Sequence, residues 1–222
     1  MKIENIKVCA FDAYGTCFDI NSAAMGLANK IGKDWLAFSS TWRTVQLEYT
    51  WLRSLMKRYV DFWKVTEDSL EYAMESHGID KNFKNELLNL YKKLNPYPEL
   101  KDCLKSLKSK KLKICILSNG SPDLLKQLIS NAGVQELFDD LISVEDVKIF
   151  KPDPQVYELV TKKYKCKPEE VCFMSSNTWD IVGGGLFGYQ TVWVDRFNKK
   201  FDKLDYKPNM QIKNLSELTK HF

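Results

Sequence analysis

An apolar run near the start of the chain, Ile6–Phe11, ends abruptly at Asp12-Ala13-Tyr14-Gly15-Thr16. The same form recurs three times: Lys113–Leu117 before Ser118-Asn119-Gly120, Val171–Met174 before Ser175-Ser176-Asn177, and Thr191–Val194. Short apolar runs bounded by turn residues predict strands buried on both faces. The intervening segments carry helical periodicity. Pro122–Ala132 and Pro154–Tyr164 open on a proline suited to a first helical turn; the former stops at Gly133, and Trp179–Phe187 stops at Gly188. Strands alternating with helices predict an α/β core, a Rossmann-like parallel sheet with helices on both faces.

The stretch from Cys17 to about Leu94 reads differently, as helices without strands. Ser39-Ser40 are placed to cap a long helix through about Tyr59, Thr66-Glu67-Asp68 to open one that stops near Gly78, and Asp80 to cap Lys81–Leu94. Asn95-Pro96-Tyr97-Pro98 then breaks the pattern and reads as a hinge. The expected division is an α/β core domain of residues 1–16 and 97–222 with an inserted α-helical cap domain, residues 17–96.

Composition narrows the picture. The chain has 222 residues, 44% of them hydrophobic and 28% charged, which excludes disordered and low-complexity architectures. The net charge is +4, without a basic block of the kind that binds nucleic acid; Lys108–Lys113 and Asn198–Lys203 read as solvated faces. A small anionic substrate suits this balance. No apolar stretch is long enough to cross a bilayer, and the run ending at Asp12 is too short for a signal peptide, so no membrane partner and a cytoplasmic location are expected. The six cysteines include no Cys-x-x-Cys pair and read as reduced core thiols rather than disulfides or a zinc site.

In open α/β sheets, ligands bind beyond the carboxyl ends of the strands. Those ends here carry Asp12, Ser118-Asn119 and Ser175–Asn177, joined by the loop containing Lys151. Asp12 alone admits two readings, a turn or cap aspartate and a nucleophile at a strand tip. The two histidines narrow the choice: His77 closes a helix and His221 lies in the terminal tail, so a Ser-His-Asp or Cys-His system lacks a base.

Four segments decide the matter: Phe11-Asp12-Ala13-Tyr14-Gly15-Thr16, Leu117-Ser118-Asn119-Gly120, Lys151-Pro152-Asp153-Pro154-x-x-Tyr157 and Ser175-Ser176-Asn177-x-Trp179-Asp180. In this order they resemble the four motifs of the haloacid dehalogenase superfamily. With Trp42-Arg43-x-x-Gln46-Leu47-Glu48-Tyr49-Thr50-Trp51-Leu52-Arg53, they resemble more narrowly the L-2-haloacid dehalogenases (type II haloacid dehalogenases). Superfamily phosphatases carry Asp-x-Asp, whose second aspartate protonates an alkoxide leaving group. Here that position is Tyr14. Halide leaves as a stable anion and needs no proton. Magnesium sites want several oxygen ligands, and the fourth motif offers only Asp180 as an acid, so a metal-free, cofactor-free site is expected.

The resemblance implies the remaining roles. Asp12 attacks the halogen-bearing carbon, and water then opens the aspartyl ester. Arg43 and Asn119 take the halide. Ser118, Lys151 and the backbone at Ala13–Tyr14 hold the substrate carboxylate, and Thr16 supports Asp12. Asp180, with Ser175, Asn177 and Tyr157, serves the hydrolytic water. Tyr14, Leu47, Phe62 and Trp179 form an apolar wall. A short 2-haloalkanoic acid is the implied substrate and a homodimer the implied assembly. A phosphatase or phosphonate hydrolase with altered motifs and a non-catalytic metabolite binder stay open as alternatives. The chain departs from the family pattern at Thr44, at Cys17 and at Gly183-Gly184-Gly185, where interior glycines imply a loose helix or a close backbone approach.

Overall fold

A computed structural model describes residues 3–221. In chain order, β1 (Val8–Phe11) is followed by β2 (Phe18–Asp19), α1 (Ser22–Met25), α2 (Ala28–Ile31), α3 (Trp35–Leu55), α4 (Phe62–His77), α5 (Lys84–Tyr91) and β3 (Asn95–Pro96). Then come α6 (Leu100–Ser109), β4 (Lys113–Ser118), α7 (Pro122–Asn131), β5 (Asp140–Ser143), α8 (Pro154–Tyr164), β6 (Val171–Ser175), α9 (Thr178–Phe187), β7 (Gln190–Val194) and β8 (Met210–Ile212).

Six strands form one parallel sheet in the order β5-β4-β1-β6-β7-β8, with β1 paired to β4 and β6. β1 is wholly buried, from Val8 through Phe11, which is why it reads as a continuous apolar run rather than an alternating one. All four apolar runs are strands, and the three helices between them begin within one residue of their expected starts. Asp12 donates its backbone N–H to the Met174 carbonyl, so the residue after β1 is still tied to β6 as it leaves the sheet. Every functional strand end therefore sits at the same edge of the sheet.

The segment between β1 and α6 is helical apart from the two-residue pair of β2 and β3. Two expected helix starts there are corrected. α3 begins at Trp35, and Ser39 lies inside it, its hydroxyl donating to Asn21 Oδ1 at 2.8 Å. α3 also stops at Leu55 rather than near Tyr59. α4 begins at Phe62 with Asp61 as its cap, and the Thr66 hydroxyl returns to the Phe62 carbonyl one turn earlier. Asp80 does cap a helical turn, but that turn is the 3₁₀ piece Lys81–Phe83, and α5 stops at Tyr91. Asn95-Pro96, expected as a plain hinge, instead pairs antiparallel with Phe18-Asp19. The same pair corrects the expectation that this segment lacks strands.

Strands β5 and β8 and helix α6 were not expected. β5 is half-buried at its start and β8 is three residues long, so neither makes an apolar run. The glycines of α9 meet side chains rather than a backbone. A Cβ at Gly183 would strike the Tyr157 hydroxyl, one at Gly184 the Phe173 ring, and one at Gly185 the Tyr206 ring. The six cysteines are free thiols, five of them buried.

Candidate active site

Asp12 is 5% exposed, at the first turn beyond β1. Three side chains donate to its carboxylate. Thr16 Oγ1 and Asn177 Nδ2 reach Oδ2 at 3.0 and 2.9 Å, and Lys151 Nζ reaches Oδ1 at 3.3 Å. The turn is closed by the Ala13 carbonyl, which accepts from the N–H groups of Cys17 and Phe18. The tight path is possible because Gly15 has φ 89°, a left-handed conformation that costs glycine little.

Lys151 comes from the loop after β5 and is 1% exposed. A lone ammonium would not survive there. It is held between two carboxylates, since Nζ also donates to Asp180 Oδ2 at 2.9 Å. Its backbone N–H donates to Asn119 Oδ1 at 3.0 Å, which ties the loop to the end of β4. Asp180, on the first turn of α9, receives the Tyr157 hydroxyl on Oδ1 at 2.8 Å. Burial pushes the Asp180 carboxyl up to about 6, opposed by the Lys151 charge and reinforced by Asp12. Burial likewise pushes the Tyr157 hydroxyl well up, so it remains a donor. Gly183 makes the Tyr157–Asp180 bond possible, because any side chain there would occupy the space of the Tyr157 hydroxyl.

Arg43 enters from α3. Its Nη2 donates to the Tyr14 carbonyl at 3.4 Å and its Nη1 to Gln46 Oε1 at 2.9 Å. Asn177 Nδ2 donates to the same Tyr14 carbonyl at 3.3 Å, so one backbone oxygen joins the guanidinium to the group that holds Asp12. The Tyr14 ring stacks on Tyr91 and tilts against Phe62, and its hydroxyl is buried without a partner among the described residues. Position 14 thus presents an apolar ring where a second aspartate would offer a proton.

A cavity of about 420 Å³ opens beside these groups, lined by Arg43, Thr44, Leu47, Asn177 and Trp179 together with Ile20, Leu36, Phe197 and Lys199. Trp179 packs edge-on against Trp51. Phe62 is fully buried behind Tyr14 and does not line the cavity. Ser118 and Ser175 are fully buried and accept the N–H groups of Gly120 and Asn177, bonds that shape the ends of β4 and β6. The structure therefore gathers Asp12, Thr16, Lys151, Asn177, Asp180 and Tyr157 into one hydrogen-bonded cluster, with Arg43 and Asn119 at its margin. Ser118, Ser175 and Phe62 stand one layer back.

Sequence reasoning missed Thr66 and Tyr91, which bond to Gln46, and Arg196, which donates to the Thr16 carbonyl at 2.8 Å and pairs with Glu99 at 2.7 Å. None stands in a strand-end motif. Gln46 does lie in the quoted segment, but spacing alone gives a mid-helix glutamine no role.

A buried carboxylate braced by three donors, with a guanidinium on the neighbouring Tyr14 carbonyl and Tyr14 rather than a second aspartate two residues on, suits displacement of a group that departs as an anion. Among the described residues, no group of three or more His, Cys, Asp or Glu side chains is placed to hold a metal ion.

Comparison with known proteins agrees in kind. Residues 6–188 match the haloacid dehalogenase-like hydrolases. The chain is 43% identical over 218 residues to (S)-2-haloacid dehalogenase 1 of Pseudomonas sp. (strain CBS-3), covering 97% of this chain and 96% of that one. Among solved structures it resembles a dehalogenase with intermediate complex, with TM-score 0.95, 37% identity and coverage of 97% and 96%. It also resembles the L-2-haloacid dehalogenase of Xanthobacter autotrophicus with chloropropionic acid covalently bound, with TM-score 0.90, 35% identity and 97% of each chain covered. With likeness of this extent in both sequence and structure, the chain belongs to the haloacid dehalogenase-like hydrolases, among the L-2-haloacid dehalogenases.

Proposed function

We propose that this enzyme hydrolyses short-chain (S)-2-haloacids to (R)-2-hydroxyacids and halide. The observation that carries the reading is the braced Asp12 carboxylate, with Arg43 on the Tyr14 carbonyl that Asn177 shares and Tyr14 rather than an acid two residues on. One Asp12 oxygen attacks the α-carbon opposite the halogen. The new C–O bond forms as the carbon–halogen bond breaks, the halide takes the electron pair, and the centre inverts. Arg43 and Asn119 receive the halide. Asn119 spends its Oδ1 on Lys151, leaving its amide N–H groups to donate. Lys151 and the backbone at Ala13–Tyr14 hold the substrate carboxylate, with Ser118 one layer behind them shaping the end of β4 through its bond from the Gly120 N–H. The Tyr14 ring, Leu47 and Trp179 form the apolar wall that keeps water out during displacement, with Phe62 backing Tyr14.

Water then attacks the Asp12 carbonyl carbon and loses a proton to Asp180, whose position near 6 suits a general base around neutral pH. Each Asp180 oxygen keeps a lone pair besides the one given to Lys151 or Tyr157. Asn177 and Ser175 set the loop that positions this water. Asp180 returns that proton to the bridging oxygen as the ester's acyl C–O bond breaks, so the hydroxyacid departs with the original Asp12 oxygen, and the second water proton passes to solvent as Asp12 is left a carboxylate.

Residues 17–96 act as the cap over this site, with Arg43 as its contribution. Homodimerisation is favoured by Leu55 and Met56 at the end of α3, which are 80% and 59% exposed. Action in the cytoplasm is favoured by six cysteines that are all free thiols.

The test is halide release from (S)- and (R)-2-chloropropionate with a chelator present. Release from the (S) isomer alone, unaffected by chelation, is expected, with (R)-lactate as product. Turnover of both isomers, or loss of activity on chelation, contradicts the reading.

A further inference from the structure

Gln46 lies one turn beyond Arg43 on α3 and is 1% exposed, an unusual place for an amide. Each end of that amide is committed. Oε1 accepts from Arg43 Nη1 at 2.9 Å, and Nε2 donates to Thr66 Oγ1 at 2.8 Å and to the Tyr91 hydroxyl at 3.0 Å. The Tyr91 hydroxyl also lies 3.3 Å from Oε1.

The orientation follows from proton counting. The one Thr66 hydroxyl proton goes to the Phe62 carbonyl at 2.7 Å. Thr66 Oγ1 can then only accept, and it requires an N–H from Gln46. Turning the amide over would also set its NH2 against a guanidinium, which has donors only. Both ends demand the same orientation, so the oxygen faces Arg43. Helices α3, α4 and α5 thus converge on one amide, and that amide holds one edge of a flexible, cationic side chain.

We propose that Gln46 is a positioning residue that aims the Arg43 guanidinium at the departing halide. The proposal rests on Arg43 as a halide ligand. Halide charge appears in full only as the carbon–halogen bond breaks, so an aimed cation lowers the barrier more than it tightens substrate binding. Chloride is a poorer leaving group than bromide and depends more on that help. Misaiming Arg43 therefore slows the chloro substrate more than the bromo substrate.

The test compares single-turnover halide release from (S)-2-chloropropionate and (S)-2-bromopropionate, together with inhibition by added chloride. In Gln46→Met, of similar length but without the carbonyl, release from the chloro acid falls about 10- to 100-fold. Release from the bromo acid falls several-fold less, and the chloride inhibition constant rises. Thr66→Val keeps the shape but frees the amide to turn, and it moves the chloro-to-bromo ratio in the same direction by a smaller factor. It carries the test if the methionine variant does not fold. In an Arg43→Ala background, Gln46→Met changes the ratio no further. Equal losses on both substrates with unchanged chloride inhibition, or a second independent loss in the double variant, overturn the proposal. An unchanged ratio in Arg43→Ala alone overturns the halide-ligand role of Arg43 itself, and the proposal with it.

Discussion

Asp12, Asn177 and Asp180 follow the ends of β1 and β6, and Lys151 comes from the loop after β5; all four are delivered to one edge of a parallel sheet by backbone geometry. Arg43 comes from the interior of a 21-residue helix and is aimed through a relay of side chains, a buried glutamine, threonine and tyrosine. Two ways of holding charge meet at the Tyr14 carbonyl, which accepts from both Arg43 and Asn177. The sheet edge is rigid and gives precision through main-chain bonds such as that from Asp12 to Met174. The helical segment gives an adjustable contribution, where a changed side chain retunes the site without disturbing a strand.

Substitutions should separate the two regions, beginning with the nucleophile. Asp12→Asn removes the attacking oxygen and should lower halide release from (S)-2-chloropropionate by at least about 10⁴-fold. A residual rate within a hundredfold of the parent would break the sheet-edge half of the comparison.

Lys151→Met should be next in effect. It leaves the Asp12 and Asp180 carboxylates facing one another without the cation that is now 3.3 and 2.9 Å from them. Breaking a buried pair of this kind costs about 3–5 kcal/mol, to be read from the urea midpoint, and activity should disappear with it. Gly183→Ala drives a methyl into the Tyr157 hydroxyl and Pro152. A loss of about 1–3 kcal/mol is expected from thermal or urea unfolding.

Two smaller effects concern protons. Asp180 titrates near 6 in the folded chain against 3.8 for an ordinary aspartate, so between those values the folded state keeps a proton that the unfolded state has lost. From this group, stability should fall as pH rises from about 4 to about 6 and then level off. Asp180→Asn should lack that slope in urea titrations across the same window. In Tyr157→Phe, Asp180 loses a donor that favours its charged form, which raises it further. The acid limb of kcat should move to higher pH by less than about one unit. An unmoved limb would mean that Asp180 is not the base.

The same contrast explains what could be read from the residues beforehand. β1, β4, β6 and β7 are legible because burial on both faces leaves an unbroken apolar run, and the polar residues that follow β1, β4 and β6 lead into the site. β5 carries Asp140 and Leu141 at half-exposed positions and makes no such run. Within the helices, Ser39 and Thr66 have the chemistry of caps but spend it elsewhere, on Asn21 and on the Phe62 carbonyl. A hydroxyl that bonds back along its own helix looks the same in sequence as one that starts a helix. The glycines of α9 imply a loose helix or a close backbone approach, whereas it is the side chains of Tyr157, Phe173 and Tyr206 that come close there. Arg43 was legible from its motif, whereas its tie to Thr66 and Tyr91 spans 20 and 45 residues through Gln46 and has no periodic signature.

The central claim is that Asp12 carries the substrate as an ester. A single turnover of excess enzyme with (S)-2-chloropropionate in ¹⁸O-water, followed by mass spectrometry of the peptide containing Asp12 and of the lactate, tests it directly. One heavy oxygen in Asp12 and none in the new hydroxyl group is the predicted result. Heavy oxygen in the lactate hydroxyl with an unlabelled Asp12 would show that water attacks the substrate itself, and would contradict the account.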